Sequence, residues 1–252
     1  MIQSLYSAAA GLTSTQQNID TIANNISNTN TAGFKASRAD FKDAIYTAMQ
    51  NPDPTGAGNN LQLGHGAILA ATLLTQNNGS YIQTGRSLDF AVMGDGFFAV
   101  RDENGAVKYT RDGTFKTSLE NGENYIVNAN GEHVLDQNGD PIHFQGDAND
   151  LFADSKGNLS IDGNAIGKIG VFSFSNPESL KSMGSNCYEP SANSGNPEAS
   201  DAKIQQGFYE GSNVDESTEI TRLMQAQRAY SLIGKAITTA DEMEGMANNL
   251  KG

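Results

Sequence analysis

The chain has 252 residues, room for one or two domains, and with 37% hydrophobic residues and no Trp its core is thin per residue. Acidic residues outnumber basic ones 29 to 16, for a formal net charge of −13. With no clustered basic run, that balance argues against a nucleic-acid partner. Cys187 is the single cysteine, so an intrachain disulfide is excluded. No His is near it in sequence, and it reads as an ordinary small side chain.

No stretch approaches the ~20 apolar residues of a membrane span. The first residues lack the basic and apolar regions of a cleaved secretory signal, which points to the cytoplasm or a non-standard export route. Leu5, Leu12, Ile19 and Ile26 recur every seven residues, with Ile22 on the same stripe, and predict a helix over 2–27. The run Asn28–Gly33 ends it, with Gly33 suited to a left-handed backbone. Phe34–Met49 is read as a second, shorter helix with Phe41, Ile45 and Met49 on one side. Asn51–Asn60 has the Pro- and Gly-rich composition of a loop.

From about Leu61 to Ile204 the pattern becomes β. Asn-Gly pairs start at 78, 104, 121, 130 and 138, and Asp-Gly pairs at 112 and 162. Such pairs suit tight hairpin turns. Strand-like segments lie between them: Leu88–Met93, Phe97–Arg101, Val107–Thr110, Tyr125–Val127 and Ile169–Phe174. Together they predict an antiparallel β domain. Ser175–Ser200 is loop-like. A last helix is expected from near Asn213 to about Leu250, capped by Ser212 with Asp215 or by Asn213 with Glu216. Two further seven-residue series run along it: Leu223, Tyr230 and Ile237, and Ala226, Ile233, Ala240 and Ala247. Ile220 and Met243 extend the apolar set.

The fold expected is mainly β with long α-helical termini: an antiparallel β body on a stem of paired, coiled-coil-like N- and C-terminal helices. The expected division is 1–33, 34–87, 88–205 and 206–252, the first and last segments together forming one assembly domain. Neither helix can bury its stripe alone. The expected assembly seam is Leu5, Leu12, Ile19, Ile22, Ile26, Ile220, Leu223, Tyr230, Ile233, Ile237 and Met243.

Signals for chemistry are weak. Gly94-Asp-Gly96-Phe-Phe-Ala99 matches a dinucleotide pattern, but a strand follows where a helix would have to begin, so a hairpin turn is the better reading. Asp136–Asp140 lacks the spacing of a calcium loop and reads as a turn. His65, His133 and His143 have no metal-type spacing. No catalytic residue, metal, cofactor or small-molecule substrate is expected.

The ends resemble the rod and hook axial proteins of the bacterial flagellum. At the N-terminus the resemblance lies in Asn18–Lys35, with Asn24, Asn25, Asn28, Gly33, Phe34 and Lys35 in the motif. At the C-terminus it lies in Gly211–Asp215, with Asn213, Val214 and Asp215, then in Ala226–Tyr230, with Gln227, Arg228 and Ala229, and in Thr239–Asp241. The middle is similar too, at Leu88–Val92, Gly94–Phe98 and Tyr109–Phe115. Within the family the distal-rod branch is nearest, through Met1–Tyr6 and the segment Ala44–Gly66. A proximal-rod or hook-type protein, or a coiled-coil-stalked adhesin, is the alternative. The resemblance implies a rod subunit that polymerises with itself into a torque-bearing hollow tube. It also implies contacts with other rod proteins and the hook protein, and passage through the flagellar type III export apparatus without cleavage.

Overall fold

The computed structural model describes residues 2–48, 62–120 and 122–249. The 51–60 loop, Met49 and Leu250 lie outside them. The chain divides into two compact units.

The first unit comprises residues 1–27, 37–73 and 215–252. Helix α1 spans Ile2–Ser27 and helix α2 spans Glu216–Asn249, roughly 40 and 50 Å at 1.5 Å per residue. They pack antiparallel: Asn25 meets Glu219, and Gly11 faces Ile233. The expected helix over Phe34–Met49 is absent. The chain there forms strands Ser37–Asp43 and Tyr46–Ala48, which pair with Ala67–Leu74 and Gln62–Gly64. Phe41 and Ile45 are four apart, a helical spacing, yet both are exposed. The distant partner strands win over that local pattern.

Helix α2 begins later than expected. Asp215 caps it, with Oδ1 accepting from the N–H groups of Ser217 and Thr218 at 3.0 and 3.2 Å. Ser212 and Asn213 lie before the helix and cap nothing in it.

The second unit, residues 28–36 and 74–214, is the antiparallel β body. Strand Phe97–Arg101 is central to its ten-stranded sheet and pairs with Val107–Thr110, His133–Val134 and Val171–Ser173. It is buried on both faces, and the two-residue period sorts its side chains. Phe98 and Val100 enter one core with Phe90, Phe115, Ile126 and Leu159. Phe97 and Ala99 enter another with Tyr109, Leu135, Phe174 and Tyr188.

Several turn expectations change. Gly79 and Gly113 lie in close backbone approaches rather than left-handed turns: a Cβ on Gly113 would stand 1.7 Å from the Phe90 carbonyl oxygen, and one on Gly79 2.0 Å from that of Gly211. Gly94-Asp95-Gly96 turns the chain but makes no hairpin, because Phe90–Met93 pairs with Lys203–Gln206 and not with Phe97–Arg101. Asp136–Asp140 is a turn, in which Asp136 Oδ1 accepts from the N–H groups of Asn138 and Asp140. The segment read as loop over Ser175–Ser200 contains strands Lys181–Gly184, Cys187–Glu189 and Glu198–Ala199. Its hairpin turns on Ser185 and Asn186, both left-handed at φ 50° and 57°, with no Asn-Gly pair to announce it.

Candidate functional site

The apolar repeats come together along the helix pair. On α1, Ile22 is buried and Leu12, Ile19 and Ile26 are half-buried. On α2, Ala226 is buried and Leu223, Ile233, Ile237 and Ala240 are half-buried. The other expected seam residues stand outside the pairing: Leu5, Ile220, Tyr230 and Met243 are exposed. Met224, Leu232 and Met246, which the heptad reading left out, are exposed as well.

Polar groups punctuate this seam. Asn25, buried, donates from Nδ2 to Glu219 Oε2 at 3.2 Å and to the Ser37 carbonyl at 2.9 Å, and its Oδ1 accepts from the Ser37 N–H at 2.9 Å. Glu219 also accepts from Arg222 Nη1 at 2.7 Å. Ser14, buried on the same side, donates to the Ala67 carbonyl at 2.6 Å. A buried polar side chain at a helix seam fixes register, because only one alignment satisfies it.

In the β body, the family-like residues 33–35 enter a second polar knot. Gly33 has φ 66°, and its N–H donates to the Glu210 carbonyl at 2.7 Å. Lys35 has a fully buried side chain, whose Nζ donates to Glu210 Oε1 at 2.7 Å and to the Asn77 carbonyl at 3.0 Å. Glu210 Oε1 accepts as well from the Gly79 N–H. Arg111 Nη1 stands 3.4 Å from Glu210 Oε2, while Nη2 donates to Asn78 Oδ1 and the Gly94 carbonyl. The Arg111 guanidinium also lies over the Phe97 ring, 5.4 Å from its centroid. Two cations thus share one buried carboxylate. Burial, and then the neighbouring Arg111, push the Lys35 ammonium below its ordinary 10.5, while Glu210 pulls the other way.

The remaining motif residues divide clearly. Asn213 ties distant chain segments together: its Oδ1 accepts from the Ala36 N–H at 2.7 Å, and its Nδ2 donates to the carbonyls of Thr75 and Asn77. Phe34 is buried, and Asn28 Oδ1 accepts from the Thr31 hydroxyl. Val214 N–H donates to Ser212 Oγ. Asp215 is the helix cap described above. Asn24, Gln227, Arg228 and Ala229 are exposed. Sequence reasoning did not single out Glu210, Arg111 or Glu219. Lone charged residues in a chain with 45 of them carry no pattern, and only the fold pairs them. Among the described residues, no group of three or more His, Cys, Asp or Glu is placed to hold a metal, and no helix is long and apolar enough to cross a membrane.

The helical termini thus join along a heptad seam, and an antiparallel β body lies between them in sequence. Comparison with known families makes this specific. Three family models match in chain order: the flagella basal body rod protein over residues 5–35, the flagellar hook protein FlgE/F/G D1 domain over 91–161, and the flagellar basal body rod FlgEFG protein C-terminal region over 205–250. The flagellar basal-body rod protein FlgG of Bacillus subtilis is 38% identical over 271 residues, covering 100% of each chain. That of Borreliella burgdorferi is 36% identical, covering 100% of this chain and 99% of its own. The flagellar hook-basal body complex protein FlhP of B. subtilis is 32% identical over the full length of both. The chain belongs to the flagellar basal-body rod family. It is a structural subunit of the basal body, not an enzyme.

Proposed function

We propose that this chain is a distal-rod subunit that polymerises with copies of itself into a hollow helical tube carrying torque from motor to hook. Its other partners on this reading are neighbouring rod proteins, the hook protein and the export apparatus, which it passes without cleavage. The segments 1–33 and 206–252 act as the stacking domain, 34–87 as the connection and 88–205 as the body.

The observation that supports this is the apolar surface left over once the helices have paired. Leu232 is 65% exposed, Tyr6 70% and Met246 59%, and Ile220, Met224 and Met243 join them. A helix pair in isolation buries one stripe. Residues on the outer sides of both helices stay in water until further helices cover them. Head-to-tail contacts that do not close give an open helical filament.

Electron microscopy of the purified chain under concentrating conditions tests this, with tubes or filaments as the expected outcome. Leu12→Asp or Ile237→Asp should leave the β body folded and abolish assembly, since a carboxylate in the seam loses its hydration without a partner. Normal assembly of either variant would overturn the role of the seam.

A further inference from the structure

Three lysines of this acidic chain converge on one cleft of the β body. Lys156 lies in the turn between strands Leu151–Ala153 and Asn158–Ile161, Lys168 ends Asn164–Lys168, and Lys203 opens Lys203–Gln206. With Ser155 and Asp201 they line a cavity of about 410 Å³.

The backbone that carries them is fixed. Lys168 is paired with Asn158 across the ladder. Next to it, Ile169 N–H donates to the Gly157 carbonyl at 2.9 Å. Next to Lys203, Ile204 N–H donates to the Ser155 carbonyl at 3.1 Å. Ile169 and Ile204 are buried in the main core. Gly157 approaches Ile204 so closely that a Cβ there would stand 2.7 Å from Ile204 Cδ1. The three ammonium groups are therefore presented from ordered elements, two exposed and Lys168 half-buried. None of the three forms an ion pair with a described carboxylate, as holds also for several other surface cations of the chain.

Three ammonium groups against the one carboxylate of Asp201 give the cavity lining a net positive charge, which an anionic occupant offsets. The source of such an occupant follows from the net charge. At −13 per chain, copies of this protein repel as they approach, unless local positive sites meet acidic ones. We propose that the Lys156–Lys168–Lys203 cleft receives an acidic segment of a neighbouring copy of this chain, each ammonium donating to a carboxylate oxygen. This rests on the polymer reading and adds to it: the β bodies contribute a charged contact, beside the apolar stacking of the helices.

The test is polymerisation of the full chain, followed by light scattering and electron microscopy at low and moderate salt, with all three lysines changed to Glu and, separately, to Gln. The wild-type critical concentration should lie below that of the Gln variant at low salt, and the gap should close as salt rises. At low salt the Glu variant should raise it about tenfold or more, and the Gln variant by less. An unchanged thermal midpoint shows that each variant is folded, and the Gln variant decides the matter should the Glu variant misfold. Assembly of the folded variants at the wild-type critical concentration and salt dependence overturns the proposal. Failure of the wild-type chain to assemble counts against the self-polymerising reading instead. In that case a decaglutamate peptide titrated into the monomer reads the cleft directly, and absence of lysine-dependent binding overturns the proposal. Lysine-dependent binding to the anionic polysaccharide alginate, with assembly unaffected, also overturns it, in favour of a glycan ligand.

Discussion

Asn25 and Glu219, 194 residues apart in the chain, meet in the interior of the helix pair at 3.2 Å. The Asn25 carboxamide also closes on both backbone groups of Ser37. One side chain therefore joins the end of α1, the start of α2 and the start of a strand. The two most buried apolar residues of the seam, Ile22 and Ala226, lie close to this link in sequence. The opposite end is open: Leu5 is 38% exposed and Met243 54%.

Hydrogen exchange on the monomer should follow that gradient. Amides near Ile22 and Ala226 should be the best protected in the helices, those near Leu5 and Met243 the least, and strand Phe97–Arg101 should exceed them all. Asn25→Ala leaves the Glu219 carboxylate with one partner fewer and should loosen the pairing by about 1–3 kcal/mol. Uniform protection along both helices, unchanged in the variant, would contradict this account.

Gly11 and Gly33 should respond to alanine in opposite ways. A Cβ on Gly11 would rest 3.8 Å from Ile233 Cδ1, an ordinary contact. Gly11→Ala should therefore stabilise α1 by about 0.5–1 kcal/mol through its helix propensity. Gly33 is left-handed at φ 66°, and a Cβ there would stand 2.3 Å from the Asp112 nitrogen. Gly33→Ala meets both the left-handed penalty, about 1–2 kcal/mol, and backbone that cannot move aside. Thermal unfolding of the two variants should shift in opposite directions; a neutral Gly33→Ala would mean that this turn relaxes freely.

The knot of Lys35, Glu210 and Arg111 predicts an asymmetry. Glu210→Ala removes the carboxylate that two buried cations share, at a cost of about 3–5 kcal/mol. Lys35→Met leaves Arg111 paired with Glu210 and should cost much less. The pH dependence follows from the lowered Lys35 value. Just below 10.5 the unfolded chain holds this proton more tightly than the folded one, so stability from this residue rises with pH through that window. The stability difference between wild type and Lys35→Met, followed from pH 8 to 10.5, should therefore move in favour of the wild-type chain. A flat difference would show that Lys35 titrates as it does in the unfolded chain.

Where the sequence was legible, a local period governed the outcome. The seven-residue series predicted α1 to within a residue, and strand Phe97–Arg101 was read at its observed bounds because an unbroken apolar run fits a strand buried on both faces. Where it was not, a distant partner decided. Phe41 and Ile45 follow a helical spacing, but Ser37–Asp43 pairs with a strand some thirty residues further on, and its start is held by Asn25. Lys35 could be found through family likeness. Its carboxylate could not, because Glu210 lies 175 residues away. Asn213 looked like a helix cap, since Asn favours such positions. Its amide proved instead to hold three backbone groups, on two segments that only the fold brings beside it.

Cys187 should be inert in the folded chain. It is 2% exposed, and its thiol is pushed up to about 12, first by burial and then by the Glu132 carboxylate, which accepts its S–H at 3.4 Å. Lys108 and Asn128 both donate to Glu132 at 2.6 Å and hold it in place. Since the thiolate is the reacting species, only about one molecule in ten thousand is competent at pH 8 while folded, against about one in ten at the ordinary value of 9.0. Labelling with iodoacetamide at pH 8 should therefore be slow in native conditions and speed up with urea in step with unfolding. The folded chain holds this proton more tightly than the unfolded one, so the stability linked to the thiol is intact below pH 9 and lost as the pH rises from 9 towards 12. Glu132→Gln removes the second cause, and should make native labelling faster at pH 10 without exposing the residue. Rapid labelling of the wild-type chain at pH 8, with its fold intact by circular dichroism, would show that Cys187 is reached from solvent and sink this account.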